Sequence, residues 1–534
     1  MFDVAIKNAQ VVDGSGKKPY QASVYLSGDR IAEISQDDSL PAAQVIDGAG
    51  LTLAPGFIDL HTHSDGSPYC APDFESALTQ GITFHLAGNC GGSLVPNTPK
   101  DHVAHGNGIT KNKFGRLIGD EGYEACDVTS YCKEVNSLGI AINFSTLVGH
   151  GALRNCVMAD PSVAVPSAQE LEGMIQLLTE QLEQGALGMS LGLTYKPGLY
   201  SQTEELVALA KVVAKYNRVL AVHMRNEGEK IFEALAEMRY VAQQSGVHIH
   251  ISHFKLMFAG QWGKADELLA AVDDMKAEGL HITCDQYPYC ASSTGFLSLL
   301  PSWAKQGSRD EILARLKDDA LFAKMRPDIT ADLKRRGGPT RNAASYTCGG
   351  LPECDGKTLA EAAEILHMEP EDAYRQILIA SRCGANAIYY AMDEADVLKI
   401  ASRADIAVAS DGYGYDILSA ALIGKPHPRS AGTFVRFLRL AREHQLMSLE
   451  SAVHKMTGLS ARIAGLRDRG LIRKGFFADL VLFDKDTIGD NATFEQPALA
   501  ASGVRYVFVN GVQAFANGVC QGTRSGRFIL AEKD

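Results

Sequence analysis

The order of apolar segments along the middle of the chain constrains its fold most strongly. Between residues 55 and 410 of this 534-residue sequence, short apolar runs alternate with segments of helical periodicity such as 168–184 and 203–216. Such alternation favours a parallel sheet, and eight β–α units over roughly 400 residues predict an α/β fold of the (β/α)8 TIM-barrel type. The predicted strands are Gly56–Leu60, Ile82–Leu86, Ile140–Val148, Ala186–Ser190, Val219–Met224, Val247–Ser252, Leu280–Asp285 and Ile406–Ser410.

The two ends of the chain show a different, β-rich pattern. Residues 27–30 (Ser-Gly-Asp-Arg) separate two short apolar runs, and Asn510-Gly511 is a strong signal for a type I′ hairpin turn. We therefore expect one small β-sandwich domain built from residues 1–54 and 470–534, with the catalytic barrel at 55–469. The gap between the seventh and eighth runs is too long for one crossover. Residues 295–383 are accordingly predicted to be an inserted, mainly helical segment that acts as a lid.

Composition narrows the class of function. The net charge of −12 argues against a nucleic-acid partner bound through phosphates. The sequence contains no apolar run of about 18 residues, so neither a membrane span nor a membrane partner is expected. Eleven cysteines, an odd number scattered along the chain, do not resemble a disulfide framework. Together with an N-terminus that lacks a secretory signal pattern, they indicate the reducing cytoplasm.

The stretch from Pro55 to Asp65 contains a strand that ends in His-Thr-His. Side chains two residues apart on a strand point to the same side, so His61 and His63 can form half of a metal site. A surface strand with incidental histidines is the alternative. The Pro-Gly before the strand and the polar or acidic residues after it favour the metal site.

Reactive side chains recur at the ends of other predicted strands, where catalytic groups lie in such barrels. Cys90 is in a glycine-flanked turn after the second run, His223 and His253 end the fifth and sixth, and Asp411 follows the eighth. Any one of them alone could be an ordinary core residue. Their recurrence in register favours a shared site, and a mixture of nitrogen, sulfur and oxygen donors suits zinc.

Longer motifs at these positions resemble the N-acyl-D-amino-acid deacylases (D-aminoacylases) of the amidohydrolase superfamily. The resemblance spans essentially the whole chain, and a cysteine stands where hydantoinases and dihydroorotases use a carboxylated lysine. It implies zinc-dependent hydrolysis of the amide bond of small N-acyl-D-amino acids. The motifs are Gly-Asn-Cys-Gly at 88–91, His-Met-Arg-Asn-Glu at 223–227, Ser-His-Phe-Lys at 252–255, Asp-Gln-Tyr-Pro-Tyr at 285–289 and His-Pro-Arg at 427–429.

The resemblance also implies a role for each candidate residue. Asp411 would take a proton from the attacking water and later deliver it to the leaving amine. The metal ligands would be Cys90, His223 and His253 for a tightly bound zinc, and His61, His63, a bridging Cys90 and the nearby Asp411 for a second, weaker metal. The substrate would be bound through its α-carboxylate by Lys255, Arg429 and Tyr287, with further contacts from Tyr195 and Ser293.

Other interpretations stay open at this point. A cyclic-amide hydrolase of the hydantoinase or dihydroorotase type, or a hydrolase of another N-acyl or ester substrate, could use the same scaffold. A non-enzymatic scaffold protein is disfavoured by the full set of metal-binding side chains. The loop 412–428, rich in glycine and tyrosine, departs from the expected family pattern and bears on substrate size. The sequence predicts neither the preferred side chain and acyl group nor the number of metals, and it is compatible with a homo-oligomer.

Overall fold

The computed structural model describes residues 1–98, 124–418 and 424–532. Part of the loop 412–428, and the polar, glycine-rich segment that follows Gly92 in the sequence, extend beyond these ranges. Residues 99–123 and 419–423 of those stretches lie outside the described residues.

The strands are numbered β1 to β22 in chain order. The first group comprises β1 (Phe2–Val11), β2 (Tyr20–Ser27), β3 (Arg30–Ser35), β4 (Ala42–Asp47), β5 (Thr52–Pro55), β6 (Phe57–Asp59), β7 (Ile82–Ala87), β8 (Asn143–Thr146), β9 (Val148–Gly149), β10 (Gly188–Gly192) and β11 (Val219–His223). The second comprises β12 (His248–Ile251), β13 (Ile282–Gln286), β14 (Ser292–Gly295), β15 (Asn342–Tyr346), β16 (Lys357–Thr358), β17 (Asn386–Tyr389), β18 (Ile406–Val408), β19 (Leu480–Phe483), β20 (Val504–Val509), β21 (Val512–Ala516) and β22 (Val519–Cys520).

The helices are numbered in the same way. They are α1 (Ser67–Cys70), α2 (Glu75–Leu78), α3 (Val128–Leu138), α4 (His150–Val157), α5 (Ala168–Glu183), α6 (Thr203–Lys215), α7 (Ile231–Ser245), α8 (Ala265–Ala277), α9 (Arg309–Lys317), α10 (Asp319–Arg335), α11 (Leu359–Leu366), α12 (Pro370–Ala380), α13 (Glu394–Ala401), α14 (Arg429–Glu443), α15 (Leu449–Met456) and α16 (Gly458–Ala464). Among the described residues, no helix combines the length and the apolar character that a membrane crossing requires.

Eight strand positions close into a parallel barrel. Strands β6, β7 and β8 form one parallel sheet, and β9 to β13 followed by β18 form another. Strands β8 and β9 are separated by one residue and together fill the third position. The eighth position closes onto the first through two backbone bonds of 2.8 Å, from Asp411 N to His61 O and from His63 N to Gly412 O. Each predicted run overlaps one of these positions, so the predicted fold class is confirmed.

Two helices that flank the barrel, α5 and α6, lie where the sequence predicts helical segments, within one residue at each end. Helix α5 starts after Ser167, whose hydroxyl accepts from the Glu170 backbone while the Glu170 carboxylate accepts from the Ser167 backbone. This reciprocal arrangement satisfies amides that lack partners within the helix. The observed helix differs from the predicted 168–184 by one residue at its C-terminal end. Its buried face, which includes Met174 and Leu178, packs into the main hydrophobic core.

Both ends of the chain contribute to one large sheet. Its strand order is β22-β21-β20-β19-β5-β1-β2-β3, with β4 also paired to β1. N-terminal β5 pairs directly with C-terminal β19, where Leu53 lies opposite Leu482. Both predicted hairpins are present, and the φ angles of Asn510 (49°) and Gly511 (79°) are positive as a type I′ turn requires. Division of the chain into domains at residues 54 and 470 stays a prediction.

Most of the inserted segment 295–383 is helical, as the sequence suggested, because helices α9 to α12 lie within it. A four-stranded sheet of order β14-β17-β15-β16, which the sequence did not predict, adjoins these helices, and its strands β14 and β17 flank the segment at its two ends. The segment's separate hydrophobic core includes Phe296, Phe322 and Tyr374. The strands escaped prediction because they are short and rich in Ala, Ser and Asn, as in β15 (Asn-Ala-Ala-Ser-Tyr). Such strands lack the apolar alternation by which a strand is recognised.

Candidate metal and active site

Three predicted metal ligands converge at the carboxyl end of the barrel strands. The Cys90 Sγ atom lies 3.6 Å from His223 Nδ1 and 3.5 Å from His253 Nε2. Those two nitrogens are 2.8 Å apart. A thiol and two imidazoles directed at one point form the kind of nitrogen and sulfur donor set that zinc prefers. The residues present therefore fit a zinc ion at this position.

A second cluster adjoins the first. The Asp411 Oδ1 atom lies 3.0 Å from His63 Nε2 and 3.5 Å from His61 Nε2. His61 connects the two clusters, because its Nε2 is also 3.4 Å from Cys90 Sγ. The structure thus brings together all six side chains that were predicted as ligands, although the first and the last, His61 and Asp411, are 350 residues apart in the sequence. Binding of metal by these groups stays a prediction.

Three of these residues adopt an unusual backbone conformation. The φ angles are positive for Cys90 (54°), His253 (39°) and Asp411 (52°). The left-handed region costs a non-glycine residue about 1 kcal/mol or more, and such strain persists where the surroundings impose it. Beside Cys90, a Cβ atom on Gly91 would lie 2.7 Å from the Gly192 amide nitrogen. The glycine therefore permits the close backbone approach that the sequence suggested.

The electrostatic surroundings favour the ligand form of the thiol. Burial alone would raise the pKa of Cys90, but His61, His223 and His253 hold this pKa well below its usual value. The thiolate, rather than the thiol, binds metals. The histidines around Cys90 therefore favour the thiolate, the form of the side chain that can bind a metal cation.

A layer of polar groups orients the candidate ligands from behind. Glu227 Oε1 lies 2.9 Å from His253 Nδ1, and the Thr194 hydroxyl lies 2.9 Å from His223 Nε2. Asp285 accepts a bond of 2.6 Å from the His253 amide. Carboxylates and hydroxyls that bond the second nitrogen of a ligating histidine fix its tautomer and orientation.

Sequence reasoning missed the roles of these supporting residues. Asp285 had been recognised only as the end of the seventh strand, and Glu227 only as part of a motif. Thr194 gave no signal, because a hydroxyl in a loop has no distinctive pattern. Their positions behind the histidines depend on how neighbouring strands are placed in the barrel.

Four of the predicted substrate-binding residues lie around Asp411 and His223, whereas the fifth, Lys255, lies behind His253. Arg429 Nη1 lies 2.8 Å from Asp411 Oδ2, and its guanidinium lies 4.8 Å above the Tyr287 ring. The Arg429 Nη2 atom also approaches the Ser293 carbonyl at 3.5 Å. Tyr195 lies across the site, with its ring centroid 4.8 Å from that of His223.

Lys255 has a different environment from the one expected of a substrate ligand. Its Nζ atom is buried and lies 2.6 Å from Glu227 Oε1 and 2.8 Å from His253 Nδ1. It therefore stands behind a candidate metal ligand, with its charge already compensated. A role in binding the substrate carboxylate stays a prediction for this residue.

The clusters open into two adjoining cavities of about 310 and 480 Å³. Volumes in this range suit a small organic substrate. Both cavities are lined by Tyr195, His253, Ser293 and Asp411, so the candidate catalytic groups lie where the cavities meet. The larger one extends beneath the inserted segment, the smaller one towards residues 89–93 and the loop after Asp411.

Asp411 is held in its ionised form. Burial would raise its pKa, but Arg429 and the histidines around it lower that pKa well below the usual value. An ionised carboxylate can accept a proton, and the arginine beside it can bind an anionic group of a substrate. This combination is suited to hydrolysis of a substrate that carries a carboxylate.

Comparison with known proteins agrees with the geometry. The model of the amidohydrolase family matches residues 44–367 and 401–515. The chain is 37% identical to the N-acyl-D-glutamate deacylase of Alcaligenes xylosoxydans xylosoxydans, over 96% of this chain and 94% of the relative. It is 33% identical to the D-aminoacylase of the same organism, over 99% of this chain and 97% of the relative.

Solved structures extend this similarity to the fold. The crystal structure of N-acyl-D-glutamate deacylase from Bordetella bronchiseptica, complexed with zinc and a phosphonate inhibitor, superposes with a TM-score of 0.83 at 32% identity. The match covers 99% of this chain and all of that one. The resemblance drawn from the sequence motifs is confirmed, and the chain belongs to the amidohydrolase family.

Proposed function

We propose that the protein hydrolyses the amide bond of N-acyl-D-amino acids, releasing a carboxylate and a free D-amino acid. One observation supports this most strongly. A Cys90–His223–His253 donor set and an Asp411–Arg429 pair meet at one barrel mouth, in a chain similar over its whole length to deacylases of this class. The choice of the D form rests on the names of those relatives.

Zinc is the metal that the donor set fits, with Cys90, His223 and His253 as its ligands. When bound, a zinc ion supplies Lewis acidity at the substrate carbonyl and makes a coordinated water more acidic. The second cluster, formed by His61, His63 and Asp411, offers a further position with weaker donors. We infer one tightly bound zinc and a second site of lower affinity.

Asp411 carries the proton in the proposed reaction. Hydrolysis joins a water oxygen to the carbonyl carbon and breaks the C–N bond, and the amine departs with a proton. Because Arg429 keeps Asp411 ionised, the carboxylate can accept a proton from water and then pass it to the amine nitrogen. An amide needs this delivery because an unprotonated amine leaves poorly.

Arg429 is suited to bind the substrate α-carboxylate. Its guanidinium is buried, rests above Tyr287 and can bond a carboxylate through two nitrogens. With the carboxylate bound here and the carbonyl directed at the histidine cluster, the Cα side chain has two directions available. The walls of the site can accept one direction and exclude the other, which is a physical route to stereoselectivity.

The test is hydrolysis of paired N-acetyl-D- and N-acetyl-L-amino acids by zinc-loaded protein. We expect turnover of D substrates only, and none of a hydantoin offered in parallel. An Asp411→Asn variant purified in the same way controls for contaminating hydrolases. Failure to hydrolyse any D substrate by protein that contains zinc would overturn the proposal.

Metal content tests the inferred stoichiometry separately. We expect about one zinc per chain after dialysis at low metal concentration, and a second equivalent only with added zinc.

We also propose a cellular location for the protein. Its eleven free cysteines agree with action in the reducing cytoplasm on a small-molecule substrate.

A further inference from the structure

A cluster of cations borders the larger cavity. Its members come from the inserted segment and from the loop after β10. They share a cavity with the candidate catalytic groups His253 and Asp411, so a bound substrate could reach them. The cations are Lys196, Lys305, Arg335 and Arg336.

The positive charges in this cluster exceed the negative ones. Arg335 and Arg336 share a single carboxylate, Asp332, through bonds of 2.9 and 2.8 Å from their Nε atoms. Within the described part of the chain, no carboxylate forms an ion pair with Lys305, whose Nζ makes only a 3.4 Å contact with the Ser298 carbonyl. Lys305, Arg335 and Arg336 therefore have one neighbouring carboxylate, Asp332, among the three of them.

This surplus is unfavourable unless an anion compensates it, because removing charge from water is costly without a partner. Lys305 shows the effect. Burial lowers its pKa against the attraction of Asp332, and the neighbouring Arg336 and Lys196 lower it further. Lys305 therefore has no carboxylate in direct contact among the described residues, although it lines the cavity that contains the candidate catalytic groups.

Arg336 is fixed in place rather than free on the surface. Only 9% of its side chain is exposed. Its guanidinium lies 4.6 Å from the Tyr389 ring centre and 5.2 Å from that of Phe258. Stacking on two aromatic rings orients a guanidinium and leaves its remaining N–H groups available for an anion.

We propose that Lys305 and Arg336 form a subsite for a second carboxylate, one that the substrate carries away from the scissile amide. The inference rests on the proposed deacylase function and assigns its substrate class: N-acyl-D-amino acids with an additional acidic group. That group can belong to an acidic amino-acid side chain or to a dicarboxylic acyl group, since both offer the same chemistry to the subsite.

The test compares substrates that carry a second carboxylate with substrates of similar shape in which that second carboxylate is replaced by an uncharged group. One pair is N-acetyl-D-glutamate and N-acetyl-D-glutamine, and the other is N-succinyl-D-alanine and N-butanoyl-D-alanine. In at least one pair we expect kcat/KM to favour the acid by roughly ten- to a hundred-fold, the range of a charged hydrogen bond. The pair that shows the preference identifies which part of the substrate carries the carboxylate.

Variants then tie the preference to the subsite. Lys305→Met, and independently Arg336→Met, should reduce the ratio of acid to neutral kcat/KM towards one. Lys324→Met is the matched control, because this lysine is exposed on α10 and does not line the cavity. If the N-acetyl-D-glutamate pair shows the preference, Lys305→Glu should favour N-acetyl-D-lysine over N-acetyl-D-glutamate, a gain that misfolding does not produce. If the N-succinyl-D-alanine pair shows it, Lys305→Glu should favour N-butanoyl-D-alanine over N-succinyl-D-alanine.

The outcomes distinguish failure of the proposed subsite from failure of the proposed deacylase function. Equal turnover within both pairs by the native protein, or a ratio unaffected by Lys305→Met and Lys305→Glu, would overturn the subsite and leave the deacylase function standing. Absence of turnover for every N-acyl-D-amino acid would overturn the deacylase function, and the subsite with it.

Discussion

At the scale of single residues, each candidate catalytic group depends on a neighbour for its chemical state. Arg429 holds Asp411 ionised, and the histidines around Cys90 favour its thiolate. Glu227 in turn orients His253 and compensates Lys255. The site is therefore a connected network, and its members should respond differently to substitution.

Asp411→Asn should abolish proton transfer while leaving the Cys90–His223–His253 donor set intact. Removing a general acid–base group lowers kcat by about 10²- to 10⁴-fold. We expect a loss in this range on N-acetyl-D-amino acids, with the tightly bound zinc retained. Steady-state kinetics and metal analysis of one preparation check both parts. Loss of the tight zinc together with activity would contradict the role given to Asp411.

Arg429→Met should shift the pH dependence of activity. Activity of a carboxylate base is lost as pH falls through its pKa, and the Arg429 cation lowers the pKa of Asp411. Removing that cation raises the pKa, so the acidic limb of the kcat/KM profile should move to higher pH. Arg429→Lys keeps a positive charge and should move the limb less. Superimposable profiles for native protein and the Met variant would disprove the coupling.

Glu227→Gln should weaken zinc binding. Its carboxylate bonds the second nitrogen of His253, and loss of such a partner lowers metal affinity by about 10- to 100-fold. Competition with a chelator of known affinity measures the change. Glu229→Gln is the matched control, because this neighbouring glutamate is exposed. The hypothesis fails if both variants retain native affinity.

At the scale of elements, helix α15 buries a lysine against the barrel. Lys455 is 1% exposed, lies 4.6 Å from the Phe437 ring centre and bonds the Ala401 carbonyl. Burial lowers its pKa to about 7. Folding therefore places a cation in the core at acidic pH.

Lys455→Met should stabilise the protein in a pH-dependent way. An unfolded lysine titrates near pH 10.4, so between about 7 and 10.4 the unfolded chain binds more protons and native stability rises with pH. Below pH 7 Lys455 is charged in both the folded and the unfolded protein, so the full cost of burying its charge reduces native stability. The Met variant, which buries no charge, should be more stable there by roughly 1 to 4 kcal/mol. The gain should shrink by pH 9.5. Urea unfolding at pH 6.5 and 9.5 measures it, with exposed Lys211→Met as control; a gain independent of pH would contradict the argument.

At the scale of the whole molecule, the site joins parts of the chain that are far apart in sequence. Cys90 follows β7, His223 ends β11, His253 lies two residues after β12, and Asp411 follows β18. The inserted segment covers the larger cavity with its own core and its own charges. Metal binding should therefore connect distant strands.

Removal of zinc should lower the Tm of the whole barrel. A ligand that binds only the native state stabilises it by about 4 kcal/mol at a thousand-fold excess over its Kd. Calorimetry before and after chelation, then after addition of zinc, should show a reversible decrease. Cys90→Ser, which lacks the thiolate, should show a smaller shift. A Tm unaffected by chelation in zinc-loaded native protein would argue against a strand-connecting metal.

The sequence specifies the barrel strands, the two hairpin turns and the chemistry of the candidate site residues. Eight apolar runs with helical segments between them predict the barrel, because strand and helix periodicity are local properties. The rule that strand ends meet at one barrel mouth placed His61, His63, Cys90, His223, His253 and Asp411 together. The turn at Asn510-Gly511 was predictable because its positive φ angles are encoded in two adjacent residues.

What those residues contact depends on how distant segments pack together. The pairing of Arg429 with Asp411, the position of Lys255 behind His253, and the sheet that adjoins the helices of the inserted segment depend on contacts between segments distant in sequence. So does the cation surplus around Lys305. Local sequence specifies a side chain's chemistry, but burial and neighbouring charges set its pKa and its partners, and both arise only when the chain is packed.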